Sequence, residues 1–402
     1  MHILVLNAGS STLKFRLFTM ADAEETVRAE GIVDRVGSAR AELRLSVAGQ
    51  PDVTRPVPAE TPGQAAEQVL TSLIAPESGA AYPPFQIDVM AHRVVHGGAR
   101  FVAPTRLTPD ALDSLRALSE LAPLHNPVNI AGIEAGLRLL PDAPAIAVFD
   151  TAFHHTLPAV AANYALPLEY ATQRGLRRYG FHGISHQYVS ARLLERLGRG
   201  VEGTRVITCH LGNGASVCAV QDGKSVETSM GLTPLEGLIM GTRSGDLDPG
   251  LVLHLLRVQG MTVEAVDDLL NHQSGLKGLS GRTGDVRDLE QAASVGDTRA
   301  ELALECFAYR VRKYIGAYAA ALGGVEAVAF TGGIGEHSVL MRRRICRGLE
   351  FLGLRLDAEQ NARVGGREPA RISSDDSPAQ LWVIPTDEER QIAREAYALL
   401  HV

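Results

Sequence analysis

Short runs of apolar residues alternate along the chain with longer segments in which apolar residues recur every three or four positions. Near the N-terminus, the apolar run 3–6 breaks into a small polar turn at 7–12, and the chain resumes as the alternating segment 14–18. Alternation of this kind indicates a half-buried strand, so the first eighteen residues predict a β-hairpin. Further strands are predicted at 143–149, 205–210, 217–220, 325–330 and 381–384, with a tight hairpin turn at Asp222-Gly223.

Capping signals predict helices between these strands. A threonine before a proline begins one helix at 108–121, and an Asn-Pro pair begins another at 126–140. The alanine-rich segment 298–322 opens with a capping-box pair led by Thr298, and the segment 386–389 begins the final helix in the same way. Strands that alternate with helices predict the α/β class.

The first hairpin has a counterpart in the second half of the chain. Its plan of strand, small polar turn and strand at 4–10 recurs at 208–216. The N-terminal turn is not a Walker loop, because Gly9 is its one glycine and a strand follows it. Small polar residues also suit an ordinary turn, but backbone N–H groups at such a tip can hold phosphate oxygens. We therefore predict a duplicated domain whose two hairpins face a polyphosphate across a cleft.

Composition limits the class of protein. A chain of 402 residues exceeds the size at which one core usually divides, so two domains are expected. The net charge of −7 argues against nucleic acid as the main partner. The basic cluster 342–344 with Arg347 is expected on the solvated face of a helix. Neither a signal peptide nor a membrane span of about 18 apolar residues is predicted, so a cytoplasmic protein is expected. Reduced structural thiols are expected at Cys209, Cys218, Cys306 and Cys346.

Two pairs of histidines have the four-residue spacing that zinc ligands can use: His92 with His96, and His182 with His186. The first pair lies in a strand-like run, and the glutamate of an H-E-x-x-H motif is absent. A zinc site is therefore a weak alternative.

Ten motifs follow one another over nearly the whole chain: LNAGSSTLKF, AHRVVHGG, LAPLHNP, FDTAFHHT, RRYGFHGISH, HLGNGASV, TSMGLTPLEGLIMGTRSGDLDPG, GDVRDLE, FTGGIGEH and PTDEER. In this order they resemble the motifs of the acetokinase family, in the actin-like ATPase superfamily. This resemblance implies duplicated actin-like (ribonuclease H-like) domains with a nucleotide cleft between them. The N-terminal domain would comprise 1–150, completed by the C-terminal helix 388–402, and the nucleotide-binding domain 151–387.

The activity implied by the resemblance is reversible, direct in-line transfer of the ATP γ-phosphoryl group to acetate, giving acetyl phosphate and ADP. ATP or ADP is then a substrate, Mg²⁺ (or Mn²⁺) the cofactor, and a homodimer the expected assembly. Two alternatives stay open. One is a propionate kinase on the same scaffold, and the other is a non-catalytic actin-like nucleotide-binding protein.

Four catalytic residues are implied by the resemblance. Arg93 is expected to hold the carboxylate of the acyl substrate, and Arg243 to stabilise the phosphoryl group in transfer, because guanidinium pairs bidentately with such oxygens. His182 is implied as a third stabiliser. The family treats Asp150 as an essential acid or base. Since a carboxylate substrate is already ionised at neutral pH, we expect Asp150 to orient a magnesium-bound water or an active-site cation.

The resemblance also implies binding residues. Mg²⁺ is expected at Asn7 and Glu388, so the final helix should pack back onto the N-terminal domain. Alternatively, Glu388 only complements the dipole of its helix. Lys14 is expected to contact the β- or γ-phosphate. The remaining ATP-binding residues implied are His210, Leu211, Gly212, Asn213, Gly214, Asp285, Val286, Arg287, Gly333, Ile334, Gly335, Glu336 and His337.

A small apolar pocket for the acyl methyl group is implied at Val95, Leu124, Phe181 and Pro234, all of which would also suit an ordinary core. One methylene is worth only ~1–3 kcal/mol of discrimination, so a moderate preference for acetate over propionate is expected.

The chain departs from the family pattern at three places. Ala99-Arg100 follows HGG where an acidic-basic pair is common, and the family usually has asparagine at positions 337 and 387. His337 is expected to alter packing beside the adenine. Asp387 is expected to shift the metal affinity, because it adds a negative charge beside Glu388.

Overall fold

A computed structural model of the chain describes residues 1–9, 11–21, 24–75, 82–123 and 125–401. It contains two compact units, Met1–Phe153 with Asp387–Val402 (unit 1) and His154–Thr386 (unit 2). The strands are β1 His2–Ala8, β2 Thr12–Ala21, β3 Glu24–Asp34, β4 Glu42–Val47, β5 Val53–Pro56, β6 Val89–Val94, β7 Thr105–Arg106, β8 Ala145–Phe149, β9 Arg205–Leu211, β10 Ala215–Gln221, β11 Lys224–Thr228, β12 Ala327–Thr331, β13 Ala370–Arg371 and β14 Gln380–Val383.

The helices alternate with these strands, as the α/β class requires. Within the described ranges, none is long and apolar enough to cross a membrane. They are α1 Pro62–Ile74, α2 Pro109–Ala117, α3 Asn126–Leu139, α4 Ala159–Ala162, α5 Leu168–Gln173, α6 Gly183–Leu197, α7 Pro249–Arg257, α8 Val263–Asp268, α9 Gly275–Ser280, α10 Val286–Ser294, α11 Thr298–Ala321, α12 Gly332–His337, α13 Val339–Cys346, α14 Ala358–Arg363 and α15 Glu388–Leu400.

Each unit is built on one mixed sheet, and the two sheets share a plan. In unit 1 the order is β5-β4-β3-β2-β1-β6-β8-β7, and in unit 2 it is β11-β10-β9-β12-β14-β13. In unit 1, β1 pairs antiparallel with β2 and parallel with β6. In unit 2, β9 pairs antiparallel with β10 and parallel with β12. The order β3-β2-β1-β6-β8 therefore matches β11-β10-β9-β12-β14, and the predicted duplication is confirmed.

The central strands of unit 1 are covered on both faces. Ile3, Leu4 and Val5 of β1 have no exposed surface, although successive side chains point to opposite faces. Leu4 belongs to the core cluster that α1 and α3 cover, and α15 packs against β1, β6 and β8. Each fully buried aliphatic side chain contributes about 1.5–3 kcal/mol relative to exposure. The final helix is therefore an integral layer of unit 1.

The predicted hairpins are present. The turn between β1 and β2 is closed by a hydrogen bond from Gly9 N to Thr12 O of 2.7 Å, and the turn between β9 and β10 by one from Gly212 N to Gly214 O of 3.0 Å. The turn between β10 and β11 has positive φ at both Asp222 and Gly223, as a two-residue hairpin requires.

The predicted capping boxes led by Thr298 and Thr386 are wrong by one residue. Asp297 and Asp387 cap the two helices instead, and Asp387 accepts from Arg390 N at 3.0 Å. A carboxylate at this position accepts first-turn N–H groups and also complements the helix dipole, which a threonine hydroxyl does not. The glycine-rich segment after β12 forms the short helix α12.

The prediction that the basic cluster is solvated holds for Arg343 and Arg347, which are exposed, and is wrong for Arg342. Arg342 is fully buried and donates to the side chain and carbonyl oxygen of Asn361 and to the carbonyl oxygens of Gly335 and Glu336. Arg344 lies between two glutamates of α11. Burial lowers the pKa of Arg342 to about 10, which leaves it charged at neutral pH. The planar guanidinium fits here because its several donors satisfy carbonyl oxygens at the end of α12.

The cysteines give a direct test of the core. All four are free thiols; Cys209, Cys218 and Cys346 are buried, and Cys306 is half-buried. Burial raises the pKa of Cys218 and of Cys346 to about 12 and that of Cys209 well above its ordinary value. Because the thiolate is the reactive form, these three thiols should be inert in the folded chain.

We predict that a chromogenic disulfide reagent at about pH 8 modifies at most one thiol per native chain, and all four after denaturation. In Cys306→Ser the native reaction should disappear. Rapid reaction of two or more native thiols would contradict this packing.

Candidate active site

The carboxyl ends of three parallel strands bring predicted residues together in unit 1. Because β1, β6 and β8 run parallel, Asn7, Arg93 and Asp150 meet at one edge of the sheet. Arg93 Nε and Nη2 donate to the two carboxylate oxygens of Asp150 at 3.0 and 2.5 Å. Arg93 Nη1 donates to Asn7 Oδ1 at 3.1 Å. The predicted acyl-binding arginine and the predicted acid or base thus form a bidentate pair.

The ion pair of Arg93 and Asp150 places two opposite charges at this edge of the sheet. Asp150 is 1% exposed, so leaving its carboxylate unpaired would be costly. Burial lowers the pKa of Arg93, but Asp150 and then Glu388 outweigh burial and raise the pKa overall. In this arrangement the cation beside Asp150 is Arg93. Asp150 acts as an acceptor that orients the guanidinium.

The start of α15 adds two glutamates to the same edge. Asn7 Nδ2 donates to Glu389 Oε1 at 3.0 Å. Burial raises the pKa of Glu388 to about 7; Arg93 opposes this shift and Asp150 adds to it. Among the described residues, no group donates a hydrogen bond to the Glu388 carboxylate. A half-buried carboxylate without a donor fits a hard divalent cation, so the residues present suit the expected Mg²⁺.

Sequence reasoning missed Glu389, although it stands beside Glu388 in the closing motif. The departure at Asp387 is compensated locally. Its carboxylate accepts from Arg16 Nη1 at 2.7 Å and from Arg390 Nε at 3.0 Å. These two arginines balance the added negative charge, which weakens the expected effect on metal affinity.

In unit 2, predicted residues gather around the second hairpin turn. A Cβ atom placed on Gly214 would lie 3.4 Å from His182 Nε2 and 3.6 Å from Arg243 Nη1. His182 precedes α6 with a left-handed φ of 56°. Its ring stacks on that of His210, with centroids 4.3 Å apart and planes 22° apart. His182, His210 and Arg243 therefore converge on the turn 212–214.

Arg243 holds a half-buried charge without an acidic partner. Its Nη1 donates to the carbonyl oxygen of Pro234 at 3.2 Å. Burial lowers its pKa, and no carboxylate in the described part of the chain lies within ion-pair distance. A guanidinium taken out of water without a counter-ion favours binding of an external anion.

A cavity of about 770 Å³ lies beside this turn in unit 2, within the size range of small-molecule sites. Eight of the predicted ATP-binding residues line it: Gly212, Asn213, Asp285, Val286, Arg287, Gly333, Ile334 and His337. Sequence reasoning missed five further lining residues, although two of them directly precede the Asp285 motif: Thr242, Thr283, Gly284, Glu290 and Ser338.

Other predicted ATP-binding residues do not line this cavity. Glu336 Oε1 accepts from Gly332 N at 2.9 Å and from Thr386 N at 3.1 Å, which closes the start of α12. Gly335 binds Arg342 through its carbonyl oxygen. The others that lie elsewhere are His210, Leu211 and Gly214 in the hairpin, and Lys14, which belongs to unit 1.

The residues expected to hold the acyl methyl group fall in both units. Val95 is buried in unit 1. Phe181 is 1% exposed and Pro234 is half-buried in unit 2. Leu124 lies outside the described residues. The pocket therefore stays a prediction.

The doubled sheet plan places the chain among the duplicated actin-like α/β proteins. The model of the acetokinase family matches residues 2–394, and the chain belongs to this family. It is 48% identical to the acetate kinase of Bacteroides fragilis over 402 residues, which is all of both chains. The crystal structure of Porphyromonas gingivalis acetate kinase matches with a TM-score of 0.91 and 41% identity, over 99% of each chain. A propionate kinase from Francisella tularensis matches with a TM-score of 0.88 and 37% identity, over 98% of each chain.

The buried carboxyl of Glu388 predicts a pH effect on stability. Its folded pKa of about 7 exceeds the ordinary 4.5, so between these values the folded chain binds more protons than the unfolded chain. Without metal, ionisation of Glu388 should therefore lower stability as pH rises through this window. We predict that Glu388→Gln raises the metal-free thermal midpoint by about 2–4 °C at about pH 8, with little effect at about pH 5.

Millimolar Mg²⁺ should reverse this order at the higher pH, because it stabilises only the chain that retains the carboxylate. Differential scanning calorimetry with and without chelator measures both effects. An Mg²⁺ response equal in the two proteins would contradict the assignment of Glu388 to the metal.

Proposed function

We propose that this chain is a kinase that reversibly transfers the γ-phosphoryl group of ATP to acetate, giving acetyl phosphate and ADP. The observation that carries the proposal is the half-buried guanidinium of Arg243, which has no carboxylate partner in the described residues and lies beside the turn 212–214. Acetate as acceptor is supported by full-length similarity to acetate kinases. The cavity beside the turn suits the nucleoside end of ATP.

Arg93 is prepared to bind the acceptor. A guanidinium carries five N–H groups, and in the described residues three of these bind Asp150 and Asn7. The remaining two, one on Nη1 and one on Nη2, are adjacent and can bind one carboxylate bidentately. Asp150 holds the plane of the guanidinium in place, so the acid has a positioning role toward the substrate.

The reaction itself needs no proton transfer. A carboxylate oxygen of acetate attacks the γ-phosphorus, the bond from that phosphorus to the β-phosphate oxygen breaks, and ADP leaves with the electron pair. Arg243 and His182 stabilise the charge on the equatorial oxygens. Mg²⁺, held by Asn7 and Glu388, would supply positive charge to the phosphates. Arg93 belongs to unit 1 and Arg243 to unit 2, and closure of the units over the substrates stays a prediction.

We also propose that the protein is a homodimer in the cytoplasm. Helix α7 has no buried residue, although most of its side chains are apolar; Leu251 is 40% and Leu253 46% exposed. An apolar face of this kind suits a second copy of the chain.

A substrate panel separates the alternatives. We predict acyl phosphate, trapped as hydroxamate, from ATP, Mg²⁺ and acetate, with kcat/KM for acetate about 10-fold above that for propionate. A higher value for propionate would favour the propionate kinase alternative, for which the Francisella tularensis structure is the precedent. No acyl phosphate from any short carboxylate would favour a non-catalytic protein.

Removal of the Arg93 side chain should weaken the use of acetate and leave the binding of ATP nearly unchanged. We predict that Arg93→Ala lowers kcat/KM for acetate at least about 100-fold, while the Kd for ATP, measured by calorimetry, changes less than about twofold. Since this variant leaves Asp150 buried and unpaired, Arg93→Ala with Asp150→Asn is the matched control for folding. Equal loss of acetate and ATP binding would show that Arg93 is misassigned.

A further inference from the structure

Three buried side chains connect His182 to the interior of unit 2. Thr208 Oγ1 in β9 lies 2.7 Å from His186 Nδ1 in α6. His186 Nε2 lies 2.8 Å from Ser216 Oγ in β10, and Ser216 Oγ lies 2.9 Å from His182 Nδ1. Thr208, His186 and Ser216 have no exposed surface, so water cannot substitute for these contacts.

The contacts of Thr208 set the direction of this chain of hydrogen bonds. In the described part of the structure, His186 Nδ1 is the only hydrogen-bond partner of the Thr208 hydroxyl. If His186 donated to this hydroxyl, the Thr208 proton would be buried without an acceptor, at a cost of about 1–3 kcal/mol. Thr208 therefore donates, and His186 Nδ1 accepts.

The proton of His186 then sits on its other nitrogen. Burial lowers the pKa of His186 well below its ordinary value, and His154 and His210 add to the shift, so the ring is neutral and carries one proton. That proton is on Nε2, which donates to Ser216 Oγ. The single O–H of Ser216 is left to donate to His182 Nδ1.

These steps fix the tautomer of His182. Since Nδ1 accepts from Ser216, the neutral ring carries its proton on Nε2. This is the nitrogen that lies over the turn 212–214, 3.4 Å from the Cβ position of Gly214. His210 and Arg243 also face His182: the His210 ring stacks on the His182 ring, and Arg243 Nη1 lies 3.6 Å from the same Cβ position of Gly214.

We propose that Thr208, His186 and Ser216 are positioning residues that hold His182 as an Nε2–H donor to the transferring phosphoryl group. The proposal rests on the phosphotransferase function proposed above. Its consequence is that His182 donates without becoming an imidazolium. The opposite tautomer would present a lone pair to the phosphoryl oxygens and repel them.

The test uses a matched pair of substitutions at Thr208. Thr208→Val keeps the shape and removes the hydroxyl, and Thr208→Ser keeps the hydroxyl. Two-bond ¹⁵N–¹H correlation spectra of [¹⁵N]histidine-labelled protein, recorded at about pH 8.5 so that the rings are neutral, report which nitrogen carries the proton. The spectrum of His182→Gln identifies the His182 signals by their loss.

In the unsubstituted protein and in Thr208→Ser, we expect an unprotonated Nδ1 and a protonated Nε2 at His182. In Thr208→Val we expect the Nδ1-protonated form to become populated. Ser216→Ala, which removes the last contact, should give the same change and serves as the second variant if Thr208→Val folds poorly.

Kinetic measurements test whether catalysis depends on the Nε2-protonated tautomer of His182. Thr208→Val and Ser216→Ala should lower kcat about 10-fold or more, with KM for ATP changed less than about twofold, and Thr208→Ser should restore kcat. A protonated Nδ1 in the unsubstituted protein would overturn the proposal, as would a changed tautomer with unchanged kcat. If the unsubstituted protein forms no acyl phosphate while the spectra are as expected, the proposed function fails and the assigned tautomer stands.

Discussion

Transfer between two anions depends on buried positive charge, and this chain holds such charge in two ways. Arg93 is compensated by Asp150, which also orients it. Arg243 is half-buried in unit 2 with no acid beside it in the described residues. A compensated guanidinium keeps its geometry when no ligand is bound, whereas an uncompensated one gains most when an anion arrives. The first suits a small carboxylate acceptor, and the second suits charge that develops during transfer.

One sheet plan, used twice, provides both environments. In each unit, an antiparallel hairpin leads into parallel strands whose carboxyl ends share an edge. In unit 1 the strand β1 brings Asn7 to this edge, beside Arg93. In unit 2 the corresponding strand β9 brings His210 and then a glycine turn that lets other groups approach closely. The two units therefore share a backbone plan, while different side chains occupy the corresponding positions in each unit.

Sequence reasoning succeeded where a local pattern determines the structure. The strands around both hairpins follow from apolar runs, and the turn at Asp222 from a residue pair that tolerates positive φ. It failed where a residue is decided by distant partners. Arg342 lies in a basic run that is typical of a solvated helix, yet carbonyl oxygens from α12 and α14 surround it. Position relative to a cap is also weakly encoded, since Asp297 and the neighbouring threonine both suit the role.

The candidate site likewise has some features that the sequence predicts and others that it does not. Motif order predicts most of the cavity lining, because three glycine-rich or acidic stretches each supply several of its residues. The interactions that tune the site could not be predicted from the sequence. The pairing of Arg93 with Asp150 depends on the register of β6 against β8. The contact of His186 with Ser216 depends on how α6 crosses β10. Packing between elements sets these distances, and one sequence does not specify that packing.

The balance of charge within unit 1 supports the proposed position of the metal. At the edge of this unit, Asp150, Glu388 and Glu389 outnumber Arg93 and Lys14; burial raises the pKa of Glu388, and Asp150 and Glu389 add to the shift. A divalent cation removes the excess, so binding of metal and ionisation of Glu388 favour each other. In unit 2 the charge without a partner is the positive charge of Arg243, which attracts phosphate oxygens without needing a metal. Neutral donation from His182 fits this arrangement, because a positive charge on the His182 ring would be repelled by Arg243 before any substrate arrived.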